Sequence, residues 1–187
     1  MNVVMIGAGY VGLTTGACFA SMGHDVCCVD IAEDRIRELE AGRIPIYEPR
    51  LDELIAAYRA KGRIRFSCNI ASAVARADFV FIAVGTPSRA DGDINLSYVE
   101  EAARGIARHL HETAIVVVKS TVVAGTARNV SAIISAERRG RRIPVASNPE
   151  FLREGSAIGD FTNAERIVVG ADDTGTGAAL EKLHRPH

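Results

Sequence analysis

The sequence predicts an α/β fold, a doubly wound and mostly parallel sheet with helices on both faces. Three observations predict it. Short apolar runs alternate with stretches of helical periodicity along the chain. The first apolar run ends in Gly7-x-Gly9-x-x-Gly12 and passes at once into a helical pattern. Polar signals then recur behind later runs: Asp30, Gly85-Thr86-Pro87, Ser120-Thr121 and Asn148-Pro149-Glu150 each follow one. Open α/β sheets gather ligands at the carboxyl ends of their strands, so these signals converge on one edge.

The first strand is Asn2–Ile6. Gly7 permits the tight turn out of it, Gly9 lets the backbone approach a pyrophosphate, and Gly12 lets the next helix pack closely on the sheet. That helix, Val11–Met22, places Val11, Cys18, Phe19 and Met22 near one stripe and stops at Gly23. Its unpaired N–H groups and positive dipole end face the phosphates. The second strand, Asp25–Val29, leads to Asp30, eighteen positions after Gly12. A carboxylate there accepts both hydroxyls of an adenosine ribose and repels a 2′-phosphate. The context therefore predicts a Rossmann-type site for NAD rather than NADP.

Arg43–Arg50, with Pro45 and Pro49, reads as a turn-rich connection. A helix over Leu51–Lys61 follows, with Leu51, Leu54, Ile55 and Tyr58 on one face and Gly62 as its stop. Further strands are expected at Arg63–Ser67, Phe79–Val84, Ala114–Lys119, Ile143–Ser147 and Arg166–Val169. Pro87–Asn95 reads as an exposed loop. Ser97-x-x-Glu100 reads as a capping box opening a helix whose apolar positions are Val99, Ala103, Ile106 and Leu110. Another helix is expected over Thr126–Arg138.

Bulk properties exclude several classes. The 187 residues suggest one large domain, which buries roughly 70% of its unfolded surface. Twenty-two basic against 23 acidic residues give a net charge of −1, so nothing favours a nucleic acid or an anionic membrane as partner. Arg138, Arg139, Arg141 and Arg142 form the one basic cluster, read as the end of a helix and its loop. Cys18, Cys27, Cys28 and Cys68 lack metal-ligand spacing, and no metal is expected. Cys27 and Cys28 are neighbours on a strand and point to opposite faces, which suits small buried hydrophobes in a reducing cytosol. The apolar amino terminus superficially resembles a secretory signal. It carries no Lys or Arg before Arg35, however, and the glycine fingerprint accounts for it. No run has the length of a membrane span, and a cytoplasmic protein is expected.

The chemistry-bearing candidates lie on the same edge. Thr121 carries a hydroxyl that can donate and accept, suited to a cofactor amide or an ordered water, or equally to capping the next helix. Asn148-Pro149 reads as an N-cap followed by an N1 proline. If a helical turn follows, Glu150 and Glu154 share a face. Two such carboxylates could divide proton transfer and substrate positioning, or simply complement a helix N-terminus. His24, His109, His111, His184 and His187 form no recognisable constellation, and no Gly-x-Ser-x-Gly elbow or phosphate-loop lysine occurs.

Longer stretches carry a resemblance. They are Gly7-Ala-Gly-Tyr-Val-Gly-Leu13, Asp30 with Arg35, Gly42-Arg-Ile-Pro-Ile-Tyr-Glu-Pro49, Val84-Gly-Thr-Pro87, Asp91-Gly92, Leu96-Ser-Tyr-Val99, Lys119-Ser-Thr-Val122 and Asn148-Pro-Glu-Phe-Leu-Arg-Glu-Gly155. In this order the chain resembles the N-terminal domain of the UDP-glucose/GDP-mannose dehydrogenase family, leaning toward the members that act on UDP-glucose. The resemblance implies NAD-dependent oxidation of the C6 alcohol of a nucleotide sugar to a carboxylate, a four-electron change using two NAD in succession. It implies that Tyr10, Val11, Asp30, Arg35, Thr86, Thr121 and Glu154 contact NAD beside Gly7, Gly9 and Gly12. Glu150, Phe151, Leu152 and Arg153 would lie against the sugar nucleotide. Glu154 would work with Thr121 and a water near the reacting carbon.

The resemblance also implies parts that this chain lacks: a central helix, through which a homodimer would form, and a C-terminal domain supplying the catalytic cysteine. None of the four cysteines matches that nucleophile. The chain is thus expected to be a single NAD-binding domain, either part of such an enzyme or a non-catalytic module, and incomplete for turnover alone. GDP-mannose or a UDP-N-acetylhexosamine stands as the alternative substrate. Arg50, Val123 and Ala164 depart from the family's common Gly, Pro and Pro, with small expected effects on folding.

Overall fold

The computed structural model describes residues 1–185; His187 lies outside the described residues. The chain runs β1 (Asn2–Ile6), α1 (Tyr10–Ser21), β2 (Asp25–Val29), α2 (Glu33–Glu40), α3 (Leu51–Ala60), β3 (Ile64–Ser67), α4 (Ile70–Val74) and β4 (Phe79–Ile82). It continues through α5 (Ser97–Ala107), β5 (Ile115–Val118), α6 (Thr126–Glu137), β6 (Val145–Ser147), α7 (Ala157–Thr162) and α8 (Thr174–Leu183). The strands form one sheet in the order β3-β2-β1-β4-β5-β6, and every neighbouring pair is parallel. This is the doubly wound order. Its direction reverses between β1 and β4, which opens the crevice at their carboxyl ends.

Alternation along each strand feeds two cores. Val3, Met5, Val26, Cys28, Phe79 and Phe81 face α1, α3 and α8. Val4, Ile6, Cys27, Val29, Val80 and Ile82 face α4, α5 and α6. Cys27 and Cys28 therefore do point to opposite faces. Both are buried and, like Cys18, free. Helix α1 is wrapped by other elements, so Leu13, Ala17, Phe19 and Ala20 are all at 0% exposure. Gly23 follows its C-cap at φ 93°, a left-handed stop that glycine adopts without a Cβ penalty.

Four sequence expectations need correction. Arg166–Val169 is not a strand. Ile167 and Val168 are exposed, and the isolated antiparallel bridge nearby joins Ser147 to Gly170, one residue past the segment. The capping box is not formed: α5 has no side-chain cap at its start, and the Asn95 side chain instead accepts from the Ser97 N–H at 3.0 Å. Glu100 turns outward to Arg104 and Asn129. No helix begins at Pro149, because Asn148 spends its side chain on Lys119 and the Val168 carbonyl, leaving no cap; the helix starts at Ala157. Thr121 caps nothing either, since α6 begins after Gly125. The sequence reading also passed over α2, α4, α7 and α8.

Arg50 precedes α3 with φ 67°, the left-handed region in which a non-glycine residue is strained. A glycine at this position is therefore favoured by the backbone itself.

Candidate functional site

The cofactor turn is built from backbone constraints. Gly7 has φ 103°, and its N–H donates to the Val29 carbonyl at 2.7 Å. A Cβ on Gly7 would stand 2.6 Å from the Ala83 carbonyl oxygen, so this residue is wedged between the ends of β2 and β4. A Cβ on Gly12 would stand 1.8 Å from the Gly7 oxygen; only a missing side chain lets α1 pack so close. Gly9 differs. Its φ of −86° suits any residue, and a Cβ there would meet nothing within 4 Å. The space before Gly9 is what a pyrophosphate needs to reach the backbone. Tyr10, Val11 and Gly12 open α1 with N–H groups that have no partner inside the helix, and no acid sits in that first turn.

Asp30 stands at the neighbouring strand end. Its Oδ2 accepts from the Ala8 N–H at 2.9 Å and from Arg35 Nη1 at 2.9 Å, while Oδ1 accepts from the Ala32 N–H at 3.0 Å. The carboxylate thus braces the glycine turn and keeps acceptor capacity on Oδ1 for a ribose hydroxyl. Arg35 offsets part of its charge, which softens repulsion of a 2′-phosphate without removing it. The adjacent Ile31 is 90% exposed and offers an apolar face beside this acid.

Across the crevice, the ends of β4 and β5 are stitched together. The Thr86 hydroxyl donates to the Thr121 carbonyl at 2.9 Å, and the Ser120 hydroxyl to the Val84 carbonyl at 2.6 Å. Thr121 is exposed at this rim. Glu150, Phe151, Leu152 and Arg153 follow β6 outside any helix or strand, and Glu154 opens a turn that runs through Gly155, φ 88°, to Ser156. Phe151 is 59% exposed.

The acids do not share a helical face. Glu150 curls back so that its carboxylate accepts from the Leu152 N–H at 2.6 Å. Arg153, expected at a substrate, is tied by its N–H and guanidinium to Asp160, Nη2 at 2.7 Å from Oδ1; this holds the Asp160 carboxyl well below the usual range. Glu154 remains exposed, close enough to help raise the Tyr10 pKa. Among the described residues no hydrogen bond joins it to Thr121.

Two groups escaped the sequence reading. Lys119 is 4% exposed, and its Nζ donates to Asn148 Oδ1 at 3.1 Å in the wall of a cavity of about 210 Å³ that Glu150, Phe151 and Leu152 also line. Burial lowers its pKa to about 8, while Glu150 and Cys18 act to raise it. The signal was a lysine directly behind Val116-Val117-Val118, a position inside the sheet's edge. Glu48 is 5% exposed, an acid in a proline-flanked turn that sequence quoted without a role. Among the described residues no cluster of His, Cys, Asp or Glu could hold a metal, and no helix is long and apolar enough to cross a membrane. His24 and His184 pack around Phe19, and His184 also lines the cavity beside Lys119.

Comparison with known proteins agrees with this geometry. The pattern describing the UDP-glucose/GDP-mannose dehydrogenase family, NAD binding domain, matches residues 1–187. A UDP-glucose 6-dehydrogenase of Rhizobium meliloti is 51% identical over 189 residues, covering 100% of this chain and 43% of that protein. The solved UDP-glucose dehydrogenase of Pyrobaculum islandicum superposes with a TM-score of 0.93 at 42% identity, over 97% of this chain and 43% of its own. A GDP-mannose dehydrogenase from Pseudomonas aeruginosa gives 0.94 at 38% identity, over 99% and 44%. The chain thus spans about two fifths of the length of the relatives it matches.

Proposed function

The chain belongs to the UDP-glucose/GDP-mannose dehydrogenase family as its NAD-binding domain, and we propose that it serves an enzyme that oxidises the C6 alcohol of UDP-glucose to the carboxylate of UDP-glucuronate. One observation carries this reading: the open glycine turn at Gly9 and the Glu150–Gly155 segment meet on one rim, joined where the Gly155 N–H donates to the Tyr10 hydroxyl at 3.1 Å. NAD, when bound, accepts hydride. The residues here would hold and orient it. Gly7, Gly9 and Gly12 give the turn, the N–H groups of Tyr10 and Val11 face the pyrophosphate, and Asp30 with Arg35 takes the ribose. Thr86 and Thr121 border the far end.

Oxidation of an alcohol to an acid releases two hydrides and three protons and consumes one water, so it needs a group that moves protons at the reacting carbon. Glu154 is an exposed carboxylate on the rim, and Thr121 is an exposed hydroxyl at the end of β5; we assign them to that work. Phe151 and Leu152 offer the sugar nucleotide a wall. Cys18, Cys27 and Cys28 are buried with thiols pushed up, and Cys68 directly follows β3, on the adenosine half of the crevice. None suits attack at C6, so a nucleophilic cysteine would have to come from outside this domain. Buried free thiols fit a reducing compartment such as the cytoplasm.

The test is NADH formation by the enzyme that carries this domain, across UDP-glucose, GDP-mannose and UDP-N-acetylhexosamines. Two NADH formed per UDP-glucose, with slower turnover of the others, is the expected result. Turnover of GDP-mannose alone would refute the substrate assignment, and no NADH from any of them would refute the function.

A further inference from the structure

Glu48 lies between α2 and α3, buried, and its carboxylate collects donors from distant segments. The Tyr10 hydroxyl and the Gly155 N–H, the latter at 2.9 Å, both donate to Oε2. The Ile158 N–H donates to Oε1 at 3.3 Å. The Tyr10 hydroxyl also accepts from the Gly155 N–H and lies 3.2 Å from the Arg153 carbonyl. Among the described residues no cation forms an ion pair with Glu48. A carboxylate is costly to bury, and here neutral donors alone offset the cost. Packing does not require such a group. What it achieves is a fixed joint between the first residue of α1 and the turn that carries Glu154.

We propose that Glu48, acting through Tyr10, is a positioning residue: it locks the Arg153–Ile158 turn to the opening of α1, so that Glu154 and the cofactor turn keep one fixed separation. This rests on the role given to Glu154 above. Tyr10 serves both sides of the joint, its backbone N–H on the cofactor side and its hydroxyl on the turn. Burial, reinforced by Glu48, raises the pKa of that hydroxyl to about 12, so it keeps its proton throughout the working pH range. The sequence contains the two halves 38 residues apart, in Gly-Tyr-Val-Gly and in Tyr-Glu-Pro, and only the fold brings them together.

The experiment uses the enzyme carrying this domain with Tyr10→Phe, Glu48→Gln and the double substitution. Each single substitution is expected to lower kcat by about tenfold or more, and the double to lower it no further, because the groups act as one unit. Amide exchange at Gly155 and Ile158 is expected to accelerate by a similar factor. Should Glu48→Gln fail to fold, Tyr10→Phe decides alone, since its ring still packs. A kcat within threefold of wild type, unchanged exchange at Gly155, or losses that multiply in the double variant would each overturn the proposal. Wild-type enzyme that forms no NADH from any nucleotide sugar would overturn the functional reading and this role with it. That failure is read from the wild type and not from the variants.

Discussion

Replacing Gly9 and Gly12 in turn by alanine separates binding from folding within one four-residue stretch. At Gly9 the backbone suits alanine, and the added methyl meets nothing within 4 Å. Losing a glycine N-cap costs at most about 1 kcal/mol, and the stiffer unfolded chain returns about 0.4–1 kcal/mol. The net change is small, and the melting temperature should move by no more than about 2 °C. The methyl nevertheless fills the space a pyrophosphate needs, so the Kd for NAD should rise about tenfold or more, equivalent to about 1.4 kcal/mol. Gly12 behaves oppositely. Its methyl would lie 1.8 Å from the Gly7 carbonyl oxygen, and both groups belong to backbone that cannot swing aside. Opening that turn should cost roughly 3 kcal/mol or more, lowering the melting temperature by about 6–12 °C. Calorimetric melts and NAD titrations of the two variants read both quantities. Normal NAD affinity in Gly9→Ala, or an equal loss of stability in the two, would refute the assignment of roles within the turn.

Asp30→Ala should weaken NAD binding by about tenfold or more and narrow its advantage over NADP; titration with both cofactors checks this, and unchanged affinity would remove the ribose assignment. Lys119 has a folded pKa of about 8 against 10.5 for the free group, so between those values the unfolded chain binds more protons and stability from this group rises with pH, by about 3 kcal/mol in all. The thiols of Cys18, Cys27 and Cys28, raised by burial, act the other way above pH 9. The difference between wild type and Lys119→Met in denaturant melts from pH 7 to 11 therefore isolates the lysine, and a flat difference would refute its buried setting. Arg50→Gly should stabilise by about 0.5–1 kcal/mol, relieving a left-handed backbone; a fall in the urea midpoint would contradict it. Thiol reagent should label Cys68 first in the native protein, because the other cysteines are buried, and slowly, because local desolvation and then nearby acids push its thiol up.

The parallel sheet was legible because strands covered on both faces must be largely apolar, and β4, like β1 and β2 after their first residue, is an unbroken apolar run. The same criterion failed at Arg166–Val169. Apolarity reports what a segment tolerates, not whether a partner lies beside it, and here the bridge from Ser147 falls on Gly170, just past the run. Helix α8 was illegible for the opposite reason. Thr174-Gly-Thr-Gly has poor helix propensity, but Leu180 and Leu183 are fully buried and the Asp173 side chain caps the Thr176 N–H at 2.8 Å. Packing and a cap outweigh propensity there. The rim positions were readable from topology alone, because every strand end falls on one edge. The Glu48 joint was not, since its donors lie at positions 10, 155 and 158.

The failed helix at Asn148-Pro149 bears most directly on the chemistry. Residue types there favour a cap, but a cap needs a free side-chain acceptor. Lys119 takes that acceptor, because a buried ammonium with no carboxylate in contact costs more than an uncapped turn. The segment stays outside any helix, and its acids part company. Glu150 saturates the Leu152 N–H and becomes a local brace. Glu154 is carried past the end of the strand into a turn, where Glu48 and Tyr10 fix its backbone and leave its carboxylate exposed. The two acids expected to share a helical face thus resolve into one structural carboxylate and one available carboxylate. On this reasoning Glu150→Gln should loosen the Leu152 turn and weaken nucleotide-sugar binding, whereas Glu154→Gln should lower kcat with little change in KM. Equal effects on kcat from both would show that the two acids share proton transfer after all.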